Sequence, residues 1–129
     1  MGSEMCIRDR DIVTPGSHGS TFGGNPVCAA GALSIVSRID DAFLNSVSEK
    51  SRYIKEFLAN VNGVKSVSGM GLMLGIETEK NAKEIADECL KNGLLVLTAK
   101  TKVRLLPALN ISYDELNKGL KILKEIIEK

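Results

Sequence analysis

The chain has 129 residues, which is enough for one domain. Its 17 Lys and Arg against 16 Asp and Glu leave a net charge of +1, which excludes a strong attraction to nucleic acid or to an acidic membrane. With 43% apolar and 26% charged residues the chain is not mainly disordered, and no apolar run approaches the roughly 18 residues of a transmembrane helix.

The cysteine and histidine content restricts the chemistry further. Three cysteines without a secretory signal do not make a disulfide framework, so we expect a cytoplasmic location. A single histidine excludes a His-rich metal centre, and no metal is expected.

The first ten residues, MGSEMCIRDR, match a translated sequencing adapter. The transposase adapter of shotgun DNA libraries encodes this segment when its first codon, GTG, serves as the start. We therefore expect residues 1–10 to be foreign and loosely attached, and we exclude them from the fold. The native part then begins near Asp11, has 129 − 10 = 119 residues, and is expected to lack the N-terminal part of its gene.

Two helices are predicted in the first half of the native part. Residues 11–25 are rich in Gly, Ser and Thr and are predicted to form a loop. Asn25 is a good N-cap, and Pro26 suits a first helical turn. Small apolar residues favour a helix over Val27–Ile39, and helical spacing of apolar residues predicts another over Asp41–Asn60.

After residue 63 the pattern changes to β-β-α-β-β-α. The predicted elements are strands Val64–Ser68 and Leu72–Glu77 joined around Gly69–Gly71, helix Asn81–Lys91, strands Leu94–Thr98 and Val103–Leu106, and a C-terminal helix. Ser112 followed by Glu115 is a capping box for that last helix. This order predicts an α+β fold with helices on one face of a mainly antiparallel sheet.

The segment HGSTFGGNP, residues 18–26, is the strongest candidate for a binding site. Glycines allow close backbone approach, the hydroxyls of Ser20 and Thr21 can donate, and a following helix N-terminus adds N–H groups. These features suit an anion such as phosphate. On this pattern alone, an ordinary Gly/Ser loop remains the alternative.

The same segment resembles a known family. HGSTFGGNP and the Ala-rich helix after it are similar to the segment that follows the Schiff-base lysine in class III (fold type I) pyridoxal-phosphate aminotransferases. GMGLMLGIE at 69–77 and GLLVLTAKTKVRLLPALNIS at 93–112 resemble strands of that family's small domain. The resemblance covers residues 11–129. It implies that 11–40 end the large cofactor domain, that 41–63 form a connecting helix, and that 64–129 form the C-terminal small domain.

The resemblance also implies roles for individual residues. Thr21 matches the threonine that binds the phosphate of pyridoxal 5'-phosphate in the partner subunit's site, which implies a homodimer. Ser20 matches a position near the substrate. Arg104 matches the arginine that faces a substrate carboxylate or a gating glutamate, and arginine suits a planar carboxylate. A strand arginine in a surface ion pair is the alternative, and Ala108 stands where the family often has a second proline.

The family's catalytic lysine, pyridine-nitrogen aspartate and ring-stacking aromatic residue lie upstream of the matched segment. The chain is therefore predicted to hold no catalytic residue and to be inactive alone, although its parent uses an amino donor and a 2-oxo acid. HGSTFGGNP and RLLPALNIS are most similar to the acetylornithine aminotransferase subfamily of arginine biosynthesis. The ornithine, succinylornithine and 4-aminobutyrate enzymes, or a free-standing small α+β binding module, are the alternatives.

The remaining candidates are assigned structural roles. His18 is expected to shape the loop, Cys28 and Cys89 to be inert core thiols, and Met70 and Met73 to pack within the small domain. If the chain is a fragment, the apolar residues of the first helix should be unusually exposed, because their partners are absent. These residues are Val27, Leu33, Ile35 and Val36.

Overall fold

The computed structural model describes residues 19–129. The predicted adapter, residues 1–10, and His18 lie outside the described residues. The described part divides into two units, residues 19–39 and residues 40–129. The second helix therefore belongs to the same unit as the β-β-α-β-β-α segment.

The helices and strands follow the predicted order. They are α1 (Pro26–Val36), α2 (Asp41–Ala59), β1 (Val64–Met70), β2 (Met73–Thr78), α3 (Ala82–Lys91), β3 (Leu97–Ala99), β4 (Lys102–Leu105) and α4 (Tyr113–Glu128). The start of α4 confirms the predicted capping box, since the Ser112 side chain accepts from the backbone of Glu115 and the Glu115 side chain accepts from the backbone of Ser112.

The four strands form one antiparallel sheet in the order β1-β2-β4-β3. Short connections join β1 to β2 and β3 to β4, while α3 lies in the chain between the two hairpins. The predicted α+β class is confirmed.

One face of the sheet carries the core. Leu74 and Ile76 of β2 and Val103 of β4 are fully buried, and they alternate with exposed or half-buried residues as a strand with one covered face requires. Helix α2 adds Ile54 and Leu58, both fully buried. Helix α4 adds a buried stripe at helical spacing: Leu116, Leu120, Leu123, Ile126 and Ile127. The opposite face of the sheet is open and carries Gly75, Glu77, Lys102 and Arg104.

Helix α1 is apolar around its circumference, yet none of its residues is buried. The four apolar residues predicted to be unusually exposed are 59–78% exposed, which confirms that prediction. Cys28 on the same helix is also exposed, so the prediction of a core thiol there was wrong. A helix that is hydrophobic all round is normally covered by other protein.

Three predicted boundaries differ from the structure by more than one residue. Helix α1 ends at Val36, and Arg38 and Ile39 continue in single turns that bond to the carbonyls of Ile35 and Val36. The β1–β2 turn falls at 71–72, because Gly69 and Met70 remain in the ladder opposite Leu74 and Met73. Strand β3 begins at Leu97, because Leu94 still bonds to the carbonyl of Cys89 at the end of α3.

Candidate functional site

The predicted site residues fall in different units. Ser20 and Thr21 lie within residues 19–39, and Arg104 lies on β4 within residues 40–129. Across the part of the chain that the structure describes, no group of three or more His, Cys, Asp or Glu side chains could hold a metal ion. No helix there has the length and hydrophobicity needed to span a membrane.

The Gly-rich loop presents Ser20 and Thr21 on an exposed turn. The N–H of Gly23 donates to the carbonyl of Ser20 at 3.4 Å, and the N–H of Asn25 donates to that of Phe22 at 3.0 Å. Gly24 has φ +77°, a conformation that favours glycine. The two hydroxyls therefore stand on a tight turn, which suits donation to a phosphate.

The helix that follows does not offer its N–H groups as predicted. Asn25 Oδ1 accepts from the N–H groups of Val27 and Cys28 at 3.0 and 3.2 Å, and the N–H of Ala29 donates to the Asn25 carbonyl at 2.9 Å. Pro26 has no N–H to offer. The first-turn N–H groups of α1 are thus satisfied by the cap, so the prediction that they serve an anion was wrong. The features of this segment that still suit an anion are the turn, its hydroxyls and the helix dipole.

Arg104 lies in the middle of the sheet. Its Cα pairs with those of Gly75 on β2 and Leu97 on β3, while its neighbour Val103 points into the core. Arg104 is half-buried, and its Nε is buried without a hydrogen-bond partner in the structure. A buried polar atom left unpaired calls for a ligand or partner that would satisfy it.

The alternative of a surface ion pair for Arg104 finds no support in residues 19–129, since none of the ion pairs found there includes it. Lys102, the neighbouring cation on the same face, is by contrast neutralised by Glu77. Lys102 Nζ lies 3.7 Å from Glu77 Oε2 and 3.2 Å from Ser68 Oγ, and Ser66 Oγ donates to the same Glu77 oxygen at 3.0 Å. Of the two β4 cations on this face, Arg104 is therefore the one without an acidic partner among the described residues.

Beside Arg104 lies a cavity of about 230 Å³ with mainly apolar walls. It forms where the chains of β3 and β4 separate, and Leu97, Leu106, Pro107 and Leu120 are among its lining residues. Apolar walls around a few polar groups are typical of ligand sites, and a low local dielectric strengthens the attraction of a guanidinium for a carboxylate.

The segment after Arg104 is held by a cluster that sequence reasoning missed. Lys50 of α2 is buried, and its Nζ donates to the carbonyl of Leu109 at 3.4 Å and lies 6.0 Å from the Tyr113 ring centroid. The Tyr53 hydroxyl donates to Asn117 Oδ1, and the Tyr53 and Tyr113 rings meet edge-on at 5.7 Å. Helical periodicity places Lys50 on the buried face of α2, and this spacing in the sequence could have identified it as a buried residue.

Two further expectations concern sulfur-containing residues. Met70 and Met73 are 87% and 57% exposed on the open face of the sheet, so the expected packing within the small domain was wrong. The Cα atoms of Met70 and Met73 pair across the β1–β2 hairpin, and both residues lie on the face of the sheet opposite Leu74. Cys89 is a buried thiol as predicted, and burial, with a smaller effect of the Glu88 charge, raises its pKa.

The two described cysteines should differ sharply in reactivity. In a Cys6→Ser form of the 129-residue chain, a disulfide reagent should modify Cys28 at once. Cys89 should react slower by a factor on the order of a hundred or more, because its raised pKa lowers the thiolate fraction and access requires local opening. Absorbance of the released thiol measures both rates, and Cys28→Ser identifies the fast one. Equal rates for the two thiols would contradict the burial of Cys89.

Comparison with known proteins identifies relatives over almost the whole chain. The family model described as "Aminotransferase class-III" matches residues 7–127. Acetylornithine aminotransferase of Haemophilus ducreyi is 39% identical over 121 residues, covering 92% of this chain and 31% of that protein. The mitochondrial acetylornithine aminotransferase of Alnus glutinosa is 42% identical over 127 residues, covering 93% and 28%. The chain thus spans about a third of the length of these curated relatives.

Solved structures agree with the sequence matches. N-acetylornithine aminotransferase from Stenotrophomonas maltophilia superposes with a TM-score of 0.72 at 34% identity, covering 81% of this chain and 32% of that one. Ornithine delta-aminotransferase of Plasmodium falciparum gives 0.69 at 29% identity, covering 92% and 33%.

Proposed function

This chain belongs to the class-III aminotransferase family, as its motifs predicted, and we propose that it is the C-terminal part of an acetylornithine aminotransferase. The complete enzyme transfers the amino group of N-acetylornithine to 2-oxoglutarate, in arginine biosynthesis. The observation that carries the proposal is Arg104, a half-buried cation with an unpaired Nε on the open face of the sheet. The names of relatives that are 38–42% identical support the choice of amino donor.

The cofactor is pyridoxal 5'-phosphate, on which the family depends. Thr21 holds its phosphate through the side-chain hydroxyl, and Ser20 lies beside it near the substrate. The exposed turn that carries both hydroxyls is the support from this chain. When bound, the cofactor would withdraw electrons from the carbon that bears the transferred amino group, and so would make a proton on that carbon removable. The lysine that binds the cofactor covalently belongs to the preceding part of the enzyme.

Arg104 binds a carboxylate of the substrate. Its guanidinium offers a planar fork that matches a carboxylate, and the apolar cavity beside it lowers the local dielectric. The Glu77–Lys102 pair on the same face leaves Arg104 as the cation available to an incoming anion. Lys50 and its aromatic neighbours fix the segment that follows Arg104.

The complete enzyme is a cytoplasmic homodimer in which Thr21 serves the partner's site. The exposed apolar side chains of α1 support this assembly, because a helix with this composition is normally covered. The free thiols of Cys28 and Cys89 are compatible with a reducing compartment.

An ornithine aminotransferase is the second candidate, because the Plasmodium falciparum enzyme superposes over 92% of the chain. The kcat/KM values of the complete enzyme for N-acetylornithine, ornithine, N-succinylornithine and 4-aminobutyrate decide between the donors. N-acetylornithine should give the highest value. A higher value for any of the other three would replace the proposed donor.

Reading the genomic DNA upstream of the Asp11 codon tests the fragment proposal. An open frame that contains the family's lysine motif supports it, and a stop codon followed by a native start near Asp11 refutes it. The 129-residue chain mixed with pyridoxal phosphate should show no transamination above the uncatalysed rate. Measurable turnover by this chain would also refute the proposal.

Thr21→Ala in the complete enzyme should weaken cofactor binding more than it alters chemistry. Loss of one hydrogen bond to a charged phosphate costs about 1.5–3 kcal/mol, or roughly tenfold to a hundredfold in affinity. Titration of the apoenzyme with pyridoxal phosphate measures this, and excess cofactor should restore most of the activity. Thr21→Ser, which keeps a hydroxyl, is the matched control and should bind nearly as well as wild type. An unchanged cofactor affinity in Thr21→Ala would remove Thr21 from the site.

A further inference from the structure

Gly75 occupies the middle of β2 on the open face of the sheet. Its Cα pairs with that of Ser68 on β1 and with that of Arg104 on β4. Its neighbours Leu74 and Ile76 are fully buried on the opposite face. Gly75 is therefore the residue that lies directly beside Arg104 in the row that crosses the sheet.

The backbone does not require glycine at this position. Gly75 is not among the glycines of the chain with positive φ, and its ladder pairing is regular. Glycine inside a strand lowers stability relative to alanine, because glycine loses more conformational freedom on folding. A residue with a side chain would therefore make a more stable strand here.

Packing does not require glycine either. A Cβ built on Gly75 would lie 3.4 Å from Lys102 Cδ and 3.7 Å from Ser68 Oγ, which are ordinary contact distances. The nearest of these atoms belongs to a flexible lysine side chain. Alanine is thus compatible with both the backbone and the neighbours. When neither the backbone conformation nor packing requires a glycine within a strand, that glycine often marks the close approach of a ligand.

We propose that Gly75 is a specificity-determining residue, because its missing side chain leaves room beside Arg104 for the carbon chain of a dicarboxylic substrate. The inference rests on the proposed function and extends it to a second residue. Arg104 binds the distal carboxylate, and the carbon chain lies over β2 at Gly75. The unpaired Nε of Arg104 and the absence of a Cβ at Gly75 lie in the same cross-strand row.

Lys102 provides a competing explanation for the glycine. The Lys102 side chain starts on β4 and reaches Ser68 on β1, with Nζ 3.2 Å from Ser68 Oγ, so its stem crosses β2 at Gly75. A large side chain at position 75 would displace this stem. The experiment must therefore distinguish a glycine that accommodates the Lys102 stem from a glycine that accommodates a substrate.

The test compares Gly75→Ala and Gly75→Val in the complete enzyme with pyridoxal phosphate bound. Both variants should unfold at an unchanged or higher denaturant concentration. The KM for 2-oxoglutarate should rise at least about tenfold in Gly75→Val and less in Gly75→Ala, because each added methyl group occupies space that the substrate needs. The cofactor Kd should not change. Ser68→Val places the same valine side chain one strand farther from Arg104 and removes the Lys102 contact, and it should keep the wild-type KM.

A double variant resolves the role of Lys102. Lys102→Ala combined with Gly75→Val should keep the raised KM, and a return to the wild-type KM would overturn the proposal. So would an unchanged KM in Gly75→Val, or a loss of stability in Gly75→Ala. If the wild-type enzyme transaminates no 2-oxo acid, the proposed function fails separately. In that case, an NMR titration of the 129-residue chain with 2-oxoglutarate tests the inference about Gly75. Amide resonances of Gly75 and Arg104 that do not shift would overturn it.

Discussion

Gly69→Ala should lower the free energy of unfolding of the 129-residue chain by more than about 3 kcal/mol. Gly69 has φ +128°, and a Cβ there would lie 2.1 Å from the carbonyl oxygen of Met73 and 3.0 Å from the Cα of Leu74. Both atoms belong to the backbone, so no side-chain rotation relieves the clash. Leu74 is fully buried, so any shift of its backbone disturbs the core as well as the hairpin.

Gly93→Ala is the matched control for Gly69→Ala. Gly93 also has positive φ, at +80°, but a Cβ there meets nothing within 4 Å. Gly93→Ala should therefore lower the free energy of unfolding by only about 1 kcal/mol, which is the conformational strain of alanine at positive φ. Urea denaturation followed by circular dichroism measures both values. Equal losses in the two variants would show that the close approach of β1 and β2 at Gly69 is not maintained.

Arg104→Ala should raise the KM of the complete enzyme for 2-oxoglutarate by a factor that corresponds to roughly 2–5 kcal/mol. This range is about thirtyfold to a few thousandfold. The guanidinium offers two parallel hydrogen bonds to a carboxylate, and alanine leaves the substrate charge unmatched in an apolar setting. Arg104→Lys keeps the charge without the fork and should be intermediate.

Cofactor dependence and stability separate a binding role of Arg104 from a structural one. Excess pyridoxal phosphate should restore much of the activity of Thr21→Ala and none of that of Arg104→Ala. Because Arg104 Nε has no partner in the structure, Arg104→Ala should change the free energy of unfolding by less than about 1 kcal/mol. If cofactor rescues both variants equally, or if neither variant changes the kinetics, the site assignments are wrong.

Local signals in the sequence predicted the helices well. The Ser112–Glu115 box and the Asn25 cap are formed by residues within four positions of one another, so their geometry follows from the local chain. The buried stripe of α4 follows from a period of 3.6 residues. Strand boundaries were less accurate, because Leu94–Val96 form an apolar run that is typical of a strand, yet here continue from the end of α3.

The candidate site was predicted only in part. The resemblance of HGSTFGGNP and RLLPALNIS indicated Thr21 and Arg104 as candidates. It did not indicate that the Asn25 side chain accepts from the N–H groups of Val27 and Cys28. Nor did it indicate the Glu77–Lys102 pair, which forms between strands that are adjacent in the sheet and distant in the chain. Those contacts depend on register, which local patterns do not specify.

The family, the order of elements, the helix caps and the apolar stripes could be predicted from residue patterns, because these features depend on motifs and on neighbours within one or two helical turns. Which side chains share the open face of the sheet depends on how the strands pair. The antiparallel register brings Gly75 beside Arg104 from positions 29 residues apart, and it leaves Met70 and Met73 exposed. Local patterns do not specify this arrangement, because it depends on the register between strands that are distant in the chain. A shift of one residue in that register would move every side chain of a strand to the other face.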